Sequence, residues 1–277
     1  MNQSTNQPIH PSTNHVIVIT GASSGIGKAL VLEALGSGAN VVLAARDQKA
    51  MQEVVNGIDE DRFMIVPTDI SVEADCKNLI GKVIGRFGRI DVLINNAGVS
   101  MRALFQDVEI KVIERLMQVN FWGSVYCTKY ALPWLLKTKG SVVGVSSIAG
   151  YKGLPARSGY SASKFALQGF LETLRIENRK TGLHVLIACP GFTASNIRKT
   201  ALAEDGSMQG ESPRAEEKMM TAEAVAKEIM KAVRKRKRTL ILTRQGKLTV
   251  LLNKLFPALT DKLVYNHMAK EPNSPLN

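Results

Sequence analysis

Short apolar, β-branched runs alternate along this chain with longer stretches of helical period. The runs are residues 16–20, 40–44, 63–66, 92–94, 141–145, 185–189 and 239–243. Between them lie amphipathic stretches such as 26–35, where Ala29, Leu30, Leu32 and Ala34 interleave with other positions, and 163–177, with Phe165, Ala166, Phe170 and Leu174. This alternation predicts an α/β domain: a doubly wound parallel sheet with helices on both faces. The runs are apolar throughout instead of alternating, as expected of strands buried on both sides. The sequence carries no internal repeat.

Two segments break the rhythm. Residues 192–220 are irregular, with Gly206, Gly210 and Pro213 among Glu, Ser and Met. A long insertion beyond a strand's C-terminal end is where a lid over a site sits. Its Phe192, Ile197, Leu202, Met208, Met219 and Met220 suit a partner that is apolar and varied in shape. After residue 243, stretches 247–256 and 258–268 read as helices parted by Pro257, a C-terminal extension over 246–277. Residues 1–15 are polar, rich in Asn, Gln, Ser, Thr and Pro, and without the apolar stretch of a signal peptide. They read as a disordered leader, which leaves 16–245 as the folded body.

Composition narrows the class. With 45% hydrophobic and 22% charged residues, the 277-residue chain has ample material for a packed core. Its three cysteines, Cys76, Cys127 and Cys189, are an odd number and widely spaced, which argues against a disulfide scaffold or zinc site and for a reducing cytoplasm. No run reaches the ~18 apolar residues of a membrane-spanning helix. The net charge of +12 is unevenly placed: residues 231–270 hold eleven Lys and Arg against the single acid Asp261. Basic charge alone could suit nucleic acid, but no recognition motif accompanies it, and none is expected to bind.

Candidate chemistry begins at the turn Thr20-Gly21-Ala22-Ser23-Ser24-Gly25-Ile26-Gly27, which follows the first apolar run and opens a helix. That context is the one a dinucleotide site requires: glycines let the backbone approach a pyrophosphate, and the helix N-terminus favours its charge. The spacing Gly-x-x-x-Gly-x-Gly differs from the G-x-G-x-x-G fingerprint. The second run ends Leu43-Ala44-Ala45-Arg46. An acid there would bond a ribose 2′-hydroxyl, whereas Arg46 suits a 2′-phosphate, so NADP (NADPH) is the expected cofactor.

Tyr160 and Lys164 lie four apart at the start of a predicted helix and share one face. A phenol titrates near pH ~10 and is a poor base at neutrality; a fixed ammonium beside it favours the phenolate. Ser147 stands at the C-terminal end of the fifth run, just past residue 145, where open α/β sheets place their ligands, and its hydroxyl can bond a substrate oxygen in either oxidation state.

Six motifs, Thr-Gly-x-x-x-Gly-Ile-Gly at 20–27, Asn95-Asn96-Ala97-Gly98, Asn120, Ser147, Tyr160-x-x-x-Lys164 and Pro190-Gly191, stand in one characteristic order and spacing. Over roughly residues 16–245 the chain resembles the short-chain dehydrogenase/reductase family. The resemblance implies a Rossmann-like fold, a homo-dimer or homo-tetramer, and a set of roles. Tyr160 is then the general acid/base and Ser147 orients the substrate oxygen. Lys164 binds the nicotinamide ribose and lowers the Tyr160 pKa, and Asn120 holds a water that relays the proton. Gly21, Ser23, Ser24, Gly25, Ile26 and Gly27 cradle the pyrophosphate beside Arg46. Asp69 and Ile70 flank the adenine, Asn95, Asn96, Ala97 and Gly98 line the floor, and Pro190, Gly191 and Thr193 pack on the nicotinamide. Where the family has Thr in the loop after Pro-Gly, this chain has Ser195.

The implied activity is an NADP(H)-dependent oxidoreductase that interconverts a ketone and a secondary alcohol on an apolar, lipid-, steroid- or acyl-like substrate. Two alternatives stand beside it: a 3-oxoacyl carrier-protein reductase, and a non-catalytic NADP-binding protein. The carrier-protein reductases end soon after the last strand, whereas this chain continues for about thirty residues. In that extension Leu248, Leu251, Leu252, Leu255, Leu259 and Leu263 form an apolar stripe, with Phe256 beside it and Lys247, Lys254 and Lys262 between. Such a stripe either lies in an anionic membrane interface or packs on the body or a partner subunit.

Overall fold

The computed structural model describes residues 15–194, 196–210 and 219–276. Its first half runs β1 (Val16–Thr20), α1 (Gly25–Gly36), β2 (Asn40–Ala45), α2 (Gln48–Val54), β3 (Phe63–Pro67), α3 (Glu73–Phe87) and β4 (Val92–Asn95). Then come α4 (Ile110–Met117), α5 (Gly123–Thr138), β5 (Ser141–Val145), α6 (Ser158–Glu177), β6 (His184–Cys189), α7 (Ala222–Arg234) and β7 (Thr239–Ile241). Two further helices close the chain, α8 (Arg244–Leu255) and α9 (Pro257–Ala269).

Among the described residues the strands form one seven-stranded sheet in the order β3-β2-β1-β4-β5-β6-β7, every pair parallel. This is the doubly wound, Rossmann-like arrangement. The order reverses between β1 and β4, so the loops at their carboxyl ends diverge and leave a crevice for a ligand.

Alternate strand residues feed two different cores, which is why the strands read as apolar throughout. Ile17, Ile19, Val41 and Leu43 face α1, α2 and α7 through Leu30, Ala34, Met51, Val225 and Ile229. Val16, Val18 and Val42 face α3, α5 and α6 through Leu79, Val83, Ala131, Leu135, Leu167 and Leu171. Gly144 of β5 sets how close α6 comes, since a Cβ there would collide with the Leu171 side chain.

The elements depart from the sequence pattern where polar groups are buried. Helix α6 starts at Ser158, ahead of the amphipathic stretch 163–177 and just before Tyr160, because its inner face opens with Ser161, Lys164 and Gln168, polar yet buried. Strand β7 stops at Ile241 instead of 243, because the Thr243 hydroxyl accepts from Gly246 N at 3.0 Å and caps α8. The leader predicted over 1–15 lies, except for His15, outside the described residues, as do Ser195 and residues 211–218 of the predicted lid.

His184 is a buried polar group with a testable consequence. Its Nδ1 lies 3.0 Å from the Ser141 hydroxyl and its Nε2 2.8 Å from the Lys237 carbonyl oxygen. Burial is the largest cause that lowers its pKa from 6.5 to about 4, against the opposing bond to Lys237. Above pH 6.5 the imidazole is neutral folded or unfolded, and its full contribution is present. As pH falls from 6.5 toward 4, the unfolded chain takes up a proton that the native state refuses, so stability declines by up to ~1.4 kcal/mol per pH unit. Urea melts between pH 7 and 4.5 should show that slope, and His184→Asn should flatten it; an unchanged slope in the variant would assign it to other groups.

The C-terminal helices fold back onto the body. Gly246 and Val250 are buried, Asn253 Nδ2 donates to the Tyr151 carbonyl at 3.0 Å, and Lys152 pairs with Asp261. After α9 the buried carboxylate of Glu271 meets Arg157 at 3.1 Å and Arg102 at 3.7 Å.

Candidate active site

The crevice at the switch point is built from two clamped loops. Thr20, the last residue of β1, accepts from Asn96 N at 3.0 Å and Ala97 N at 3.1 Å through its hydroxyl. Asn96 Nδ2 returns bonds to the carbonyls of Thr20 at 2.9 Å and Gly21 at 3.3 Å. Gly27 completes the clamp: a Cβ there would press into the Gly21 carbonyl oxygen and lie 2.7 Å from Asn96 Nδ2. The first turn of α1 can therefore lie directly on the glycine turn. Ser24 precedes that helix without a side-chain cap, and the first turn has no acidic residue. Gly25, Ile26 and Gly27 thus bring to the cavity a helix N-terminus with its N–H groups uncapped by side chains, the arrangement that attracts an anion.

Beyond the turn, Ala45, Arg46 and Asp47 follow β2 into the cavity wall. Arg46 is exposed, whereas the Asp47 carboxylate accepts from Ala50 N at 2.9 Å and caps α2. Asp69 lies after β3 and accepts from Ser71 N at 2.9 Å and Ser71 Oγ at 2.6 Å. Burial raises its pKa, but the Ser71 bonds and the Arg115 and Arg46 charges outweigh that and hold the carboxyl below its ordinary value.

At the other end of the cavity, Ser147 follows β5 and accepts from Ala149 N at 3.2 Å. One turn of α6 aligns Tyr160 and Lys164 beside it. The Lys164 ammonium is buried and donates to the Val145 carbonyl at 2.9 Å, 5.7 Å from the centre of the Tyr160 ring. Burial lowers its pKa to about 8. The electrostatics differ from the expectation that Lys164 lowers Tyr160. Burial pushes the phenol up, opposed by the Ser147 hydroxyl and the Arg157 charge. The ammonium is occupied by the strand end below it.

Two predicted residues stand behind the cavity wall. Asn120 sits in a π-helical turn, Gln118–Trp122, between α4 and α5. Its Oδ1 accepts from Val99 N at 2.8 Å, and its Nδ2 donates to Val99 O and Ser163 Oγ, each at 2.9 Å. Both Nδ2 hydrogens are taken, so the amide secures the loop after β4. A Cβ on Gly98 would lie 3.1 Å from Asn120 Oδ1 and 3.4 Å from Lys164 Nζ, so Gly98 is where the two converge. Asn95 is turned away from the floor it is expected to line: it is buried, and its Nδ2 donates to Thr128 Oγ1 at 3.0 Å. The other predicted cofactor residues, from Gly21 and Ser23–Gly27 through Arg46, Asp69, Ile70, Asn96, Ala97 and Gly98 to Pro190, Gly191 and Thr193, all line one cavity of about 1040 Å³ with Ser147, Tyr160 and Lys164.

The lid residues Phe192, Ile197, Leu202 and Met208 wall the same space, and Leu202 pairs with Met101 and Met208 to hold the lid on the loop after β4. Met220 instead packs against the core on the α1–α7 side, and Met219 is not part of the wall. Three contributors escape the sequence reading. Gln168 Nε2 bonds Ser146 Oγ at 2.9 Å and the Ser147 carbonyl at 3.4 Å, and so sets the serine loop. Its place one turn after Lys164, on the same face, was the available signal. Arg157 enters the wall beside Tyr160 under the hold of Glu271, a pairing 114 residues apart with no local signature. Leu252, Leu263 and Val264 of α8 and α9 complete the apolar side.

The family model for short chain dehydrogenase matches residues 15–206. The chain belongs to the short-chain dehydrogenase family. It is accordingly an oxidoreductase of that family. Dehydrogenase/reductase SDR family member 7B of Danio rerio is 34% identical to it over 266 residues, covering 92% of this chain and 86% of that protein. The 11-beta-hydroxysteroid dehydrogenase-like 4A protein of Arabidopsis thaliana is 42% identical over 194 residues, 68% of this chain and 64% of that protein. Among solved structures, a short-chain dehydrogenase from Streptomyces avermitilis superposes with a TM-score of 0.77 at 27% identity, covering 92% of this chain and 98% of that one. At 24% identity the fold is shared with an alcohol dehydrogenase from Thermococcus sibiricus complexed with 5-hydroxy-NADP, TM-score 0.72, and a Burkholderia phymatum enzyme complexed with NAD, TM-score 0.78. Those two neighbours hold different dinucleotides. The residues of this short-chain dehydrogenase fit a dinucleotide: Gly21 and Gly27 let the loop after β4 and the first turn of α1 close on the glycine turn, and the α1 N-terminus, which has no side-chain cap, lines the cavity.

Proposed function

We propose that the protein is an NADP(H)-dependent oxidoreductase that interconverts a ketone and a secondary alcohol on an apolar, lipid- or steroid-like substrate. The observation that carries this reading is the composition of one cavity: Arg46 and the glycine turn at one end, Ser147, Tyr160 and Lys164 at the other, against apolar walls. The main chain from Gly21 to Gly27 would hold the pyrophosphate, Arg46 the 2′-phosphate, Asp69 and Ile70 the adenine, and Pro190, Gly191 and Thr193 the nicotinamide side. When bound, the nicotinamide supplies or accepts the hydride. Ser147 donates a hydrogen bond to the substrate oxygen. Tyr160 gives that oxygen a proton in reduction and removes one in oxidation. Lys164, carried by Val145, places positive charge under the ribose. Asn120 positions the loop after β4, so a proton relay there would use the main chain of the π-helical turn.

Choice of NADP is supported at the end of β2, where Ala45 is small, Asp47 is committed to capping α2 and Arg46 remains exposed. Arg46→Ala should weaken NADPH binding by ~1.5–3 kcal/mol, about 10- to 150-fold, and barely change NADH. Fluorescence titration with both cofactors checks this; equal losses would remove Arg46 from the 2′-phosphate. The apolar substrate is supported by Phe192, Leu202, Leu252 and Leu263 in the wall, and by the hydroxysteroid-dehydrogenase-like relative. NADPH oxidation against steroid ketones, lipid ketones and 3-oxoacyl thioesters separates this reading from a 3-oxoacyl carrier-protein reductase. No turnover with any of them, with NADPH bound, would favour a non-catalytic binding protein.

A further inference from the structure

Helices α8 and α9 close the apolar side of the cavity and also turn an apolar stripe outward. At 100° per residue, Leu248, Leu251 and Leu255 share one arc of α8 with Arg244, Lys247 and Lys254. Gly246 and Val250 are buried on the other side. The three leucines, with Phe256 at the turn and Leu259 and Leu263 on α9, are each 49–61% exposed. The stripe is therefore not core. A contiguous apolar face of this kind marks an interaction surface.

Charge selects its occupant. Helices α8 and α9 carry Arg244, Lys247, Lys254 and Lys262, with Lys270 just after, and their one acid, Asp261, is paired with Lys152. Face-to-face contact with a second copy would set these cations against their own counterparts, because a two-fold interface repeats the same patch on both sides. An anionic lipid surface satisfies both halves of the pattern: leucines enter the acyl boundary while the lysines beside them meet headgroups. Among the described residues no helix is long and apolar enough to cross a membrane, so such contact lies in the interface. The apolar lining is also continuous with the face, since Leu248 and Leu263 belong both to the cavity wall and to the exposed stripe.

We propose that α8 and α9 dock the protein on anionic bilayers, with the mouth of the cavity against the lipid. Entry of an apolar substrate from the bilayer rests on the oxidoreductase reading above; the docking does not. Co-sedimentation of the full chain with phosphatidylcholine vesicles, with and without phosphatidylserine, tests it. Binding should require phosphatidylserine and weaken as salt rises. Lys247→Gln with Lys254→Gln should weaken it about 25-fold, at about fivefold per cation. Leu251→Ser with Leu255→Ser should also weaken it, with charge unchanged. None of these four residues lines the cavity, so retained NADPH affinity in both variants reports an intact fold. Absence of binding by the intact chain, equal binding to neutral vesicles, or indifference to both variants overturns the proposal. So does loss of an oligomer in the leucine variant without lipid binding, which would make the face a subunit interface. A chain that binds vesicles yet reduces no ketone would sink the ketone–alcohol reading and leave the docking standing.

Discussion

Replacing Tyr160 with Phe is expected to lower turnover about 10²–10⁴-fold, the range of general acid/base catalysis, with NADPH affinity nearly unchanged. The variant removes one oxygen and keeps the ring. Ser147 loses its bond to the phenol but is still held by Ala149 N, and its loop by Gln168. Lys164 keeps its bond to Val145 as well, so its place in the cavity wall is unchanged. The direction of the Tyr160 shift adds a pH signature. Burial raises the phenol, so at neutral pH it stands protonated, the form that donates to a ketone oxygen. Reduction should therefore be flat through neutrality, and alcohol oxidation, which needs the phenolate, should climb with pH. Single-turnover rates in both directions measure this. Near-normal turnover of the Phe variant would show that Tyr160 is not the proton donor.

Gly27→Ala should have the second large effect, on binding of both dinucleotides alike. The new Cβ would press into the Gly21 carbonyl oxygen and crowd Asn96 Nδ2, main-chain and clamped neighbours that cannot step aside. Overpacking of this kind costs ~1–3 kcal/mol, and if the strain falls on the glycine turn, NADPH and NADH should both bind about 5- to 150-fold more weakly. Gly36→Ala is the control, because nothing lies within 4 Å of a Cβ at the far end of the same helix. The two cradle variants have distinct outcomes: Arg46→Ala discriminates between the cofactors and Gly27→Ala does not. Unchanged affinity in Gly27→Ala would mean that the turn relaxes without cost and does not shape the cradle.

The strands, their burial on both sides and the doubly wound class are legible in the amino-acid order, because these rest on local period. Alternate residues of each strand feed separate cores, and that leaves continuous apolar runs anyone can read. Also legible there is which residues gather around the cavity wherever the motif is contiguous, as at Gly21 to Gly27 or Tyr160 and Lys164. Short spacing on one turn or one helix face leaves little freedom. What each group faces, by contrast, follows from long-range packing. Asn95 and Asn120 look like their motif neighbours in sequence, yet one is turned to Thr128 and the other is bonded to Val99 and Ser163. The balance at Tyr160 belongs to the same class, since desolvation depends on everything around the ring. Arg157 and Glu271 meet across 114 residues, and no local period encodes such a contact. The leucine stripe of α8 and α9 is the clearest case: its period is plain in sequence, but a stripe that faces the core and one that faces outward have the same period. Only the placement of those helices, with Val250 inside and Leu251 outside, resolves it.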